Sequence, residues 1–195
     1  MARSPWSWLP WLALALAASA GTSARGPGPW TYVPLQETGG GPPAEWDAER
    51  HAAAVAEFAS RGFGPDETRT LARAALSHWR HETGRRGERN FNVGNMQANR
   101  NWRGLATYWP HVSIHHRAYS TLREGVADYA RAVTQAPSYA VHTAALLAGT
   151  IDEAEWWRRL LLAGYGTHVP NDADMRLHRS IVAQYAREYA REFPG

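Results

Sequence analysis

A chain of 195 residues with 21 basic and 18 acidic side chains, a formal charge of +3 and no cysteine holds one domain of ordinary size, stabilised by core packing without disulfides or Cys-linked lipid. Every basic side chain is arginine, and so small a net charge gives weak attraction to anionic surfaces and no argument for nucleic acid. Ten Trp and eight Tyr supply flat rings that sugars, bases and buried cores all use, so they do not choose among these.

The chain starts MARSPWSWLPWLALALAASA, with Arg3 leading, an apolar run from Trp6 to Ala18, and small residues at Ala18 and Ala20. This is the layout of a secretory signal peptide over 1–20, and it predicts an exported mature chain beginning near Gly21. An uncleaved anchor fits less well, because the run falls short of the roughly 20 residues a bilayer needs and Pro10 interrupts it. From 21 to 43 Gly and Pro recur without an apolar period, which predicts a tether, and the folded domain is expected over 44–195.

Helical patterns then dominate. AEWDAERHAAAVAEFASRG ends at Gly62, and a second helix is expected from an N-cap at Asp66 to a C-terminal Gly84. No helical period appears between Gly84 and Tyr119, where Val112 and Ile114 alternate in VSIHHRAY as in a short strand or hairpin. Thr121 with Glu124, and Thr150 with Glu153, have the spacing of capping boxes before two more helices, and a last helix is expected over about Asp172 to Glu192.

Leu71, Ala75, Trp79 and Glu82 follow at steps of three and four, so Glu82 lies on the apolar face of the second helix. Burial and the negative helix end are expected to raise its pKa, with Arg85 and Arg86 opposing if they fold back. A carboxylic acid kept protonated can give its proton to a leaving-group oxygen. The plain alternative is a helix-end glutamate paired with an arginine. Next, NFNVGNMQAN offers the amides of Asn90, Asn92, Asn95, Gln97 and Asn99, with Gly94 for close backbone approach and Phe91 as an apolar face. Amides beside aromatics suit sugar hydroxyls and acetamido groups; they also suit a loop that bonds to its own backbone.

The run ETG…NFNVGNMQA, then HRAYSTLREGVADYARAV, then AGYGTHVPNDADMRLHRSIVAQY, resembles in order and spacing the lysozyme-like glucosaminidases of the bacterial cell wall. That family includes autolysins and flagellar-rod peptidoglycan hydrolases, and is also described as mannosyl-glycoprotein endo-β-N-acetylglucosaminidase-like. The resemblance covers about Asp66 to Tyr185. It implies a mainly α fold, a lysozyme-like helical core with a small loop or β-hairpin lobe forming a cleft. It also implies Glu82 as the acid and the Asn92 to Gln97 stretch as the substrate loop. Tyr119, Ser120, Asp128 and Tyr129 fall in a third motif, and Tyr165 and Thr167 in a fourth. Asn90, Phe91, Asn92, Gly94, Asn95, Gln97 and Tyr119 become expected glycan contacts, with Tyr165 beside the reacting sugar. GNMQ is also similar to the G-L-M-Q of lytic transglycosylases.

The chain departs from the family pattern where Asp-Pro is expected after the Thr: it has His168, Val169 and Pro170. No Asp or Glu lies between Glu88 and Glu124, so a second carboxylate in the small lobe is missing. The substrate's own acetamido group can then attack, with water giving hydrolysis or a sugar hydroxyl giving an anhydro product; Glu88, flanked by Arg86 and Arg89, is an alternative base or a salt-bridge partner. His78 and His81 do not have the His-Glu-x-x-His spacing of a zinc helix, and His115 and His116 alternate faces on a strand, so no metal or cofactor is expected. The expected partner is the glycan strand of peptidoglycan, outside the cytoplasm, with no stable membrane insertion after cleavage. A non-catalytic glycan clamp is the competing class.

Overall fold

The computed structural model describes residues 29–110, 113–165 and 170–194. The signal-like start, Val112, Gly166, Thr167, His168 and Val169 lie outside the described residues. No helix among the described residues is long and apolar enough to cross a membrane.

Among the described residues six helices and a small three-stranded sheet make a mainly α fold with a small β lobe, in line with the expected class. Helix α1 (Pro43–Ser60) packs against α2 (Pro65–Thr83), whose N-cap is Gly64 rather than Asp66. Pro65 starts α2 because its missing N–H would be unpaired there anyway, and the Glu67 carboxylate accepts from the Gly64 N–H at 2.9 Å. Leu71, Ala75 and Trp79 are fully buried, and Gly84 closes the helix in the left-handed region at φ 57°.

Around α2 stand α3 (Leu122–Gln135), α4 (Pro137–Leu147), α5 (Glu153–Leu162) and α6 (Asp172–Glu192). Trp79, Trp156, Tyr129, Tyr189 and Phe58 fill the shared core. Thr121 caps α3, and Glu124 accepts from the Ser120 N–H at 2.8 Å. At α5 the cap is Asp152, which accepts from the Glu155 N–H at 2.7 Å, while the Thr150 hydroxyl turns back to the Ala145 carbonyl. That corrects the expected Thr150–Glu153 box. Helix α4 goes unpredicted: it buries only Thr143 and Leu146, so PSYAVHTAALL carries no apolar stripe to read.

The lobe is a hairpin of β2 (Leu105–Trp109) and β3 (Ile114–Ala118), with the short β1 (Thr31–Tyr32) parallel to β2. Thr107 pairs with His116 on a buried face, and Tyr108 with His115 on an open one beside Trp30 and Tyr32. The last stretch of the expected tether is thus part of the fold. The Val33 N–H reaches the Ala106 carbonyl at 2.9 Å, and Thr38 and Gly39 donate to the Glu88 carbonyl. Asp128 of α3 clamps the lobe to the body: it takes Arg117 at 2.5 Å, the Tyr119 hydroxyl at 2.6 Å, and Arg131.

Candidate active site

At the C-terminal end of α2, the Glu82 side chain remains about a quarter exposed, and the imidazole of His78 stands one turn back, Nε2 to Oε1 at 3.5 Å. The arginines expected to compete go elsewhere: Arg85 binds Asp47, with Nε to Oδ1 at 2.9 Å, and Arg86 is exposed. The His78 ring is buried, and its Nδ1 lies 2.7 Å from the Tyr129 hydroxyl. With Tyr129 donating to Nδ1, the ring keeps its proton on Nε2, the nitrogen that faces Glu82. Burial pushes the Glu82 carboxyl up, but the adjacent His78, followed by the charge of His81, more than offsets it, so the net direction is down. This corrects the expected rise. The His78–Glu82 spacing of four was the legible cause, because it stacks an imidazole on the carboxylate.

The loop after Gly84 bends sharply. Arg85, Asn90, Phe91 and Asn95 all have positive φ, at 66°, 48°, 54° and 50°, and each such non-glycine residue costs about 1–3 kcal/mol that its surroundings must hold. Those surroundings are specific. Asn90 is buried, with Oδ1 accepting from Gln36 and Nδ2 donating to Pro34. Asn92 is 1 % exposed and closes the turn by accepting from the Met96 N–H and donating to the Met96 and Arg117 carbonyls. The Phe91 N–H donates to the Thr38 hydroxyl oxygen, and the Phe91 carbonyl lies so close to Gly125 that a Cβ there would come within 2.0 Å.

Of the expected glycan contacts, Asn90, Asn92 and Tyr119 therefore spend their polar groups inside the protein, and they build the loop rather than face a ligand. The backbone-bonding reading of the asparagines holds for those two because burial leaves no water to satisfy them. Asn95 differs: its Nδ2 donates to the Glu82 main-chain carbonyl at 2.9 Å, while its Oδ1 is buried without a partner among the described residues.

Tyr165 follows the end of α5, where Gly164 has φ 95°. Its hydroxyl donates to the Gly94 carbonyl at 2.7 Å, and its ring lies 4.7 Å from that of His78. A Cβ on Gly94 would stand 2.2 Å from that hydroxyl and 2.7 Å from the Tyr129 ring, so residue 94 must be glycine for the loop to seat. Tyr165, Gln97, Asn99, Tyr139, Arg117 and Arg131 line a groove of about 630 Å³ between the loop and α3–α4. Tyr165 and Gln97 thus border open space, and Glu82 stands behind Tyr165 through His78.

His116 and His81, which the sequence reading set aside as metal ligands, part company in the fold. His116 of β3 is 6 % exposed, stacked on Trp109 at 4.3 Å, and neither ring nitrogen has a partner among the described residues. The Trp109 indole N–H is likewise unpaired. Burial pushes the His116 pKa down to about 4, against the pull of the nearby Asn95 main chain and of the Glu82 charge. The strand alternation in SIHHRA tells that His115 and His116 part company, but not which of them faces α2. His81 leaves the site: it meets His178 at 3.1 Å and packs on Trp157. Burial pushes its pKa down to about 4. His78 and His81 therefore share no ligand position, and the described residues hold no cluster of three metal-binding side chains.

No protein-family model, no curated protein and no solved structure matches this chain.

Proposed function

We propose that this protein is an exported enzyme that cuts the glycan strands of peptidoglycan, of the β-N-acetylglucosaminidase type, with Glu82 giving a proton to the glycosidic oxygen. The observation that carries the reading is the state of Glu82: among the described residues it is tied to no arginine, stays in reach of solvent, and has the His78 imidazole as its one ion-pair partner. A structural glutamate at a helix end would be paired or fully exposed. The groove on the other side of Tyr165, which Glu82 does not line, has the flat rings of Tyr139 and Tyr165 and the amides of Gln97 and Asn99, a mixture that suits sugar faces and hydroxyls. The ordered resemblance to cell-wall glucosaminidases and the signal-like first 20 residues supply substrate and compartment.

Because His78 holds the Glu82 carboxyl below its ordinary range, the proton-donating form is populated on the acid side. Release of fragments should fall as pH rises through the Glu82 pKa. A bound strand that excludes water from the carboxylate would move that fall upward.

An anhydro-forming lytic reaction is favoured by one observation: the buried carboxylates Asp47, Glu88 and Asp128 are all locked to arginines. A single acid–base glutamate can serve that reaction, because a sugar hydroxyl replaces water. Mass spectrometry of soluble fragments from purified peptidoglycan decides. Reducing GlcNAc ends support the hydrolase, anhydro-muramyl ends the lyase. Binding without release, in wild type as in Glu82→Gln, overturns the enzyme and leaves a glycan clamp.

A further inference from the structure

We propose that Arg131 reads a carboxylate on the sugar strand, so that the groove selects acidic glycan over neutral glycan. The proposal rests on the reading of this groove as a glycan site, and it names the residue that sets which glycan enters.

The starting point is Asp128 of α3, the carboxylate that joins the small lobe to the helical body. Arg117 comes to it from β3, Nη1 to Oδ2 at 2.5 Å, and the Tyr119 hydroxyl donates to the same oxygen at 2.6 Å. These two bonds cross from lobe to body, and with them one guanidinium already balances the carboxylate. Arg131 then brings a second guanidinium, to Oδ1. It stands three residues along the same helix, so its bond to Asp128 ties no two parts of the protein together. Exposed pairs of that kind add little to stability.

The two arginines are also held differently. Arg117 is mostly covered, stacked 4.6 Å from the Trp102 ring, with Nε donating to the Gln97 carbonyl at 3.1 Å. The Arg131 side chain is 57 % exposed and makes no other hydrogen bond among the described residues. The clamp therefore uses Arg117 and leaves Arg131 over.

The groove gives that extra charge an address. Arg117, Asp128 and Arg131 all line it, together with Gln97, Tyr139 and Tyr165, and Asp128 is the one acid among the described lining residues. Burial pushes the Asp128 carboxyl up, but the Tyr119 bond and the two arginines more than offset it, so the net direction is down and the group stays ionised at neutral pH. Two guanidinium groups then face one carboxylate, and one positive charge in the groove is unanswered. A guanidinium has five N–H donors in a planar fork that matches a carboxylate. Arg131 spends only Nη2 on Asp128, which leaves donors for an incoming acceptor. Tyrosine rings and an amide serve any sugar; Arg131 adds the distinction by charge. In peptidoglycan, carboxylates lie on the lactyl ether of muramic acid and on the stem peptide, whereas chitin has none.

The test measures binding by calorimetry, with the protein carrying Glu82→Gln to keep the strands intact. Three soluble ligands are compared: peptidoglycan strands with stem peptides, the same strands stripped of peptide by an amidase, and chitotetraose. Acidic strands should bind more tightly than chitotetraose. Adding Arg131→Gln should cut that advantage by about 3–10-fold, and Arg131→Lys should keep part of it. The advantage should shrink as salt rises and survive Arg123→Gln, the same change of charge at an exposed arginine of α3 outside the groove. Melting of Arg131→Gln should stay near wild type, because Arg117 and Tyr119 keep Asp128.

An advantage that stripped strands retain assigns the lactyl carboxylate, and one lost with the peptides assigns the stem; both support the proposal. Equal binding of acidic and neutral strands, or an advantage that Arg131→Gln leaves whole, overturns it while the glycan reading stands. An equal loss in Arg123→Gln overturns it too, since overall charge then accounts for the preference. A marked drop in melting with Arg131→Gln overturns it by placing Arg131 in the clamp. Binding of none of the three ligands overturns the glycan reading as well.

Discussion

Glu82 and Glu88 stand six residues apart on either side of one helix end, and the protein treats them in opposite ways. Glu88 is fully buried, and Arg50 of α1 grips both of its oxygens, at 2.8 and 3.1 Å, while the Thr38 hydroxyl adds a third bond. Every charge there is answered. Around Glu82 no described arginine pairs with the carboxylate, the His78 imidazole stands beside it, and it is sealed only in part. The first region is built to hold the strained loop in place, and the second is what that loop is held for. A buried charge with its partner removed is far costlier than the pair was worth, which makes the two sites separable by experiment.

The largest effect is expected at the sealed site. Glu88→Ala takes from the buried Arg50 its buried carboxylate, leaving it only the exposed Glu49 and the Thr38 carbonyl, and should cost up to about 3–5 kcal/mol, read as a large drop in melting temperature or as failure to fold; a variant melting like wild type would mean that Arg50 has no need of Glu88. Glu82→Gln should do the reverse, keeping the melting temperature while lowering fragment release by on the order of 10²–10⁴-fold. If the release survives, Glu82 is one more surface carboxylate.

Much of this was open to sequence reasoning. The apolar stripe through Leu71, Ala75 and Trp79 puts Glu82 on an inward face, and Gly84 marks where its helix stops. Two kinds of information were missing. Asn90 and Asn92 look like donors to a ligand until burial shows what they bond to, and composition cannot say which side of a loop is wet. Likewise, which of His115 and His116 is buried is set by the pairing of β3 with β2, a contact distant in sequence. The Gly/Pro-rich stretch before Pro43 reads as a linker for a similar reason: its order comes from partners such as Glu88, Asn90 and Ala106, not from any pattern of its own.

Smaller effects sharpen the contrast between holding the loop and using it. Gly94→Ala pushes a methyl group into the Tyr165 hydroxyl and the Tyr129 ring, and should cost about 1–3 kcal/mol by overpacking, with activity falling as the loop shifts away from α2. Unchanged melting and turnover would show the loop seat to be loose. Least of all, Tyr165→Phe removes the single bond to the Gly94 carbonyl and should cost about 0.5–1.5 kcal/mol. Turnover measured per folded molecule should drop as well, and full activity there would place Tyr165 with the loop's supports and not with the substrate.

The segment from Val33 to Gly40 has a consequence of its own. It reaches the site region through Gln36, Thr38 and Gly39, which touch Asn90, Phe91 and Glu88, and through Arg50, which donates to the Thr38 carbonyl at 3.1 Å. Beyond it Gly40 and Gly41, both at positive φ, lead into α1. A protease that cut at these glycines would sever no helix and no strand. It would nonetheless turn the segment from a tethered brace into a separate peptide, held on the strained loop by main-chain and side-chain hydrogen bonds and on the sheet by one short strand, so that dilution could shed it. The domain would keep its helices and lose the grip on the loop beside Glu82, which makes the Gly-Gly junction a point at which proteolysis would disable the site while leaving the body folded.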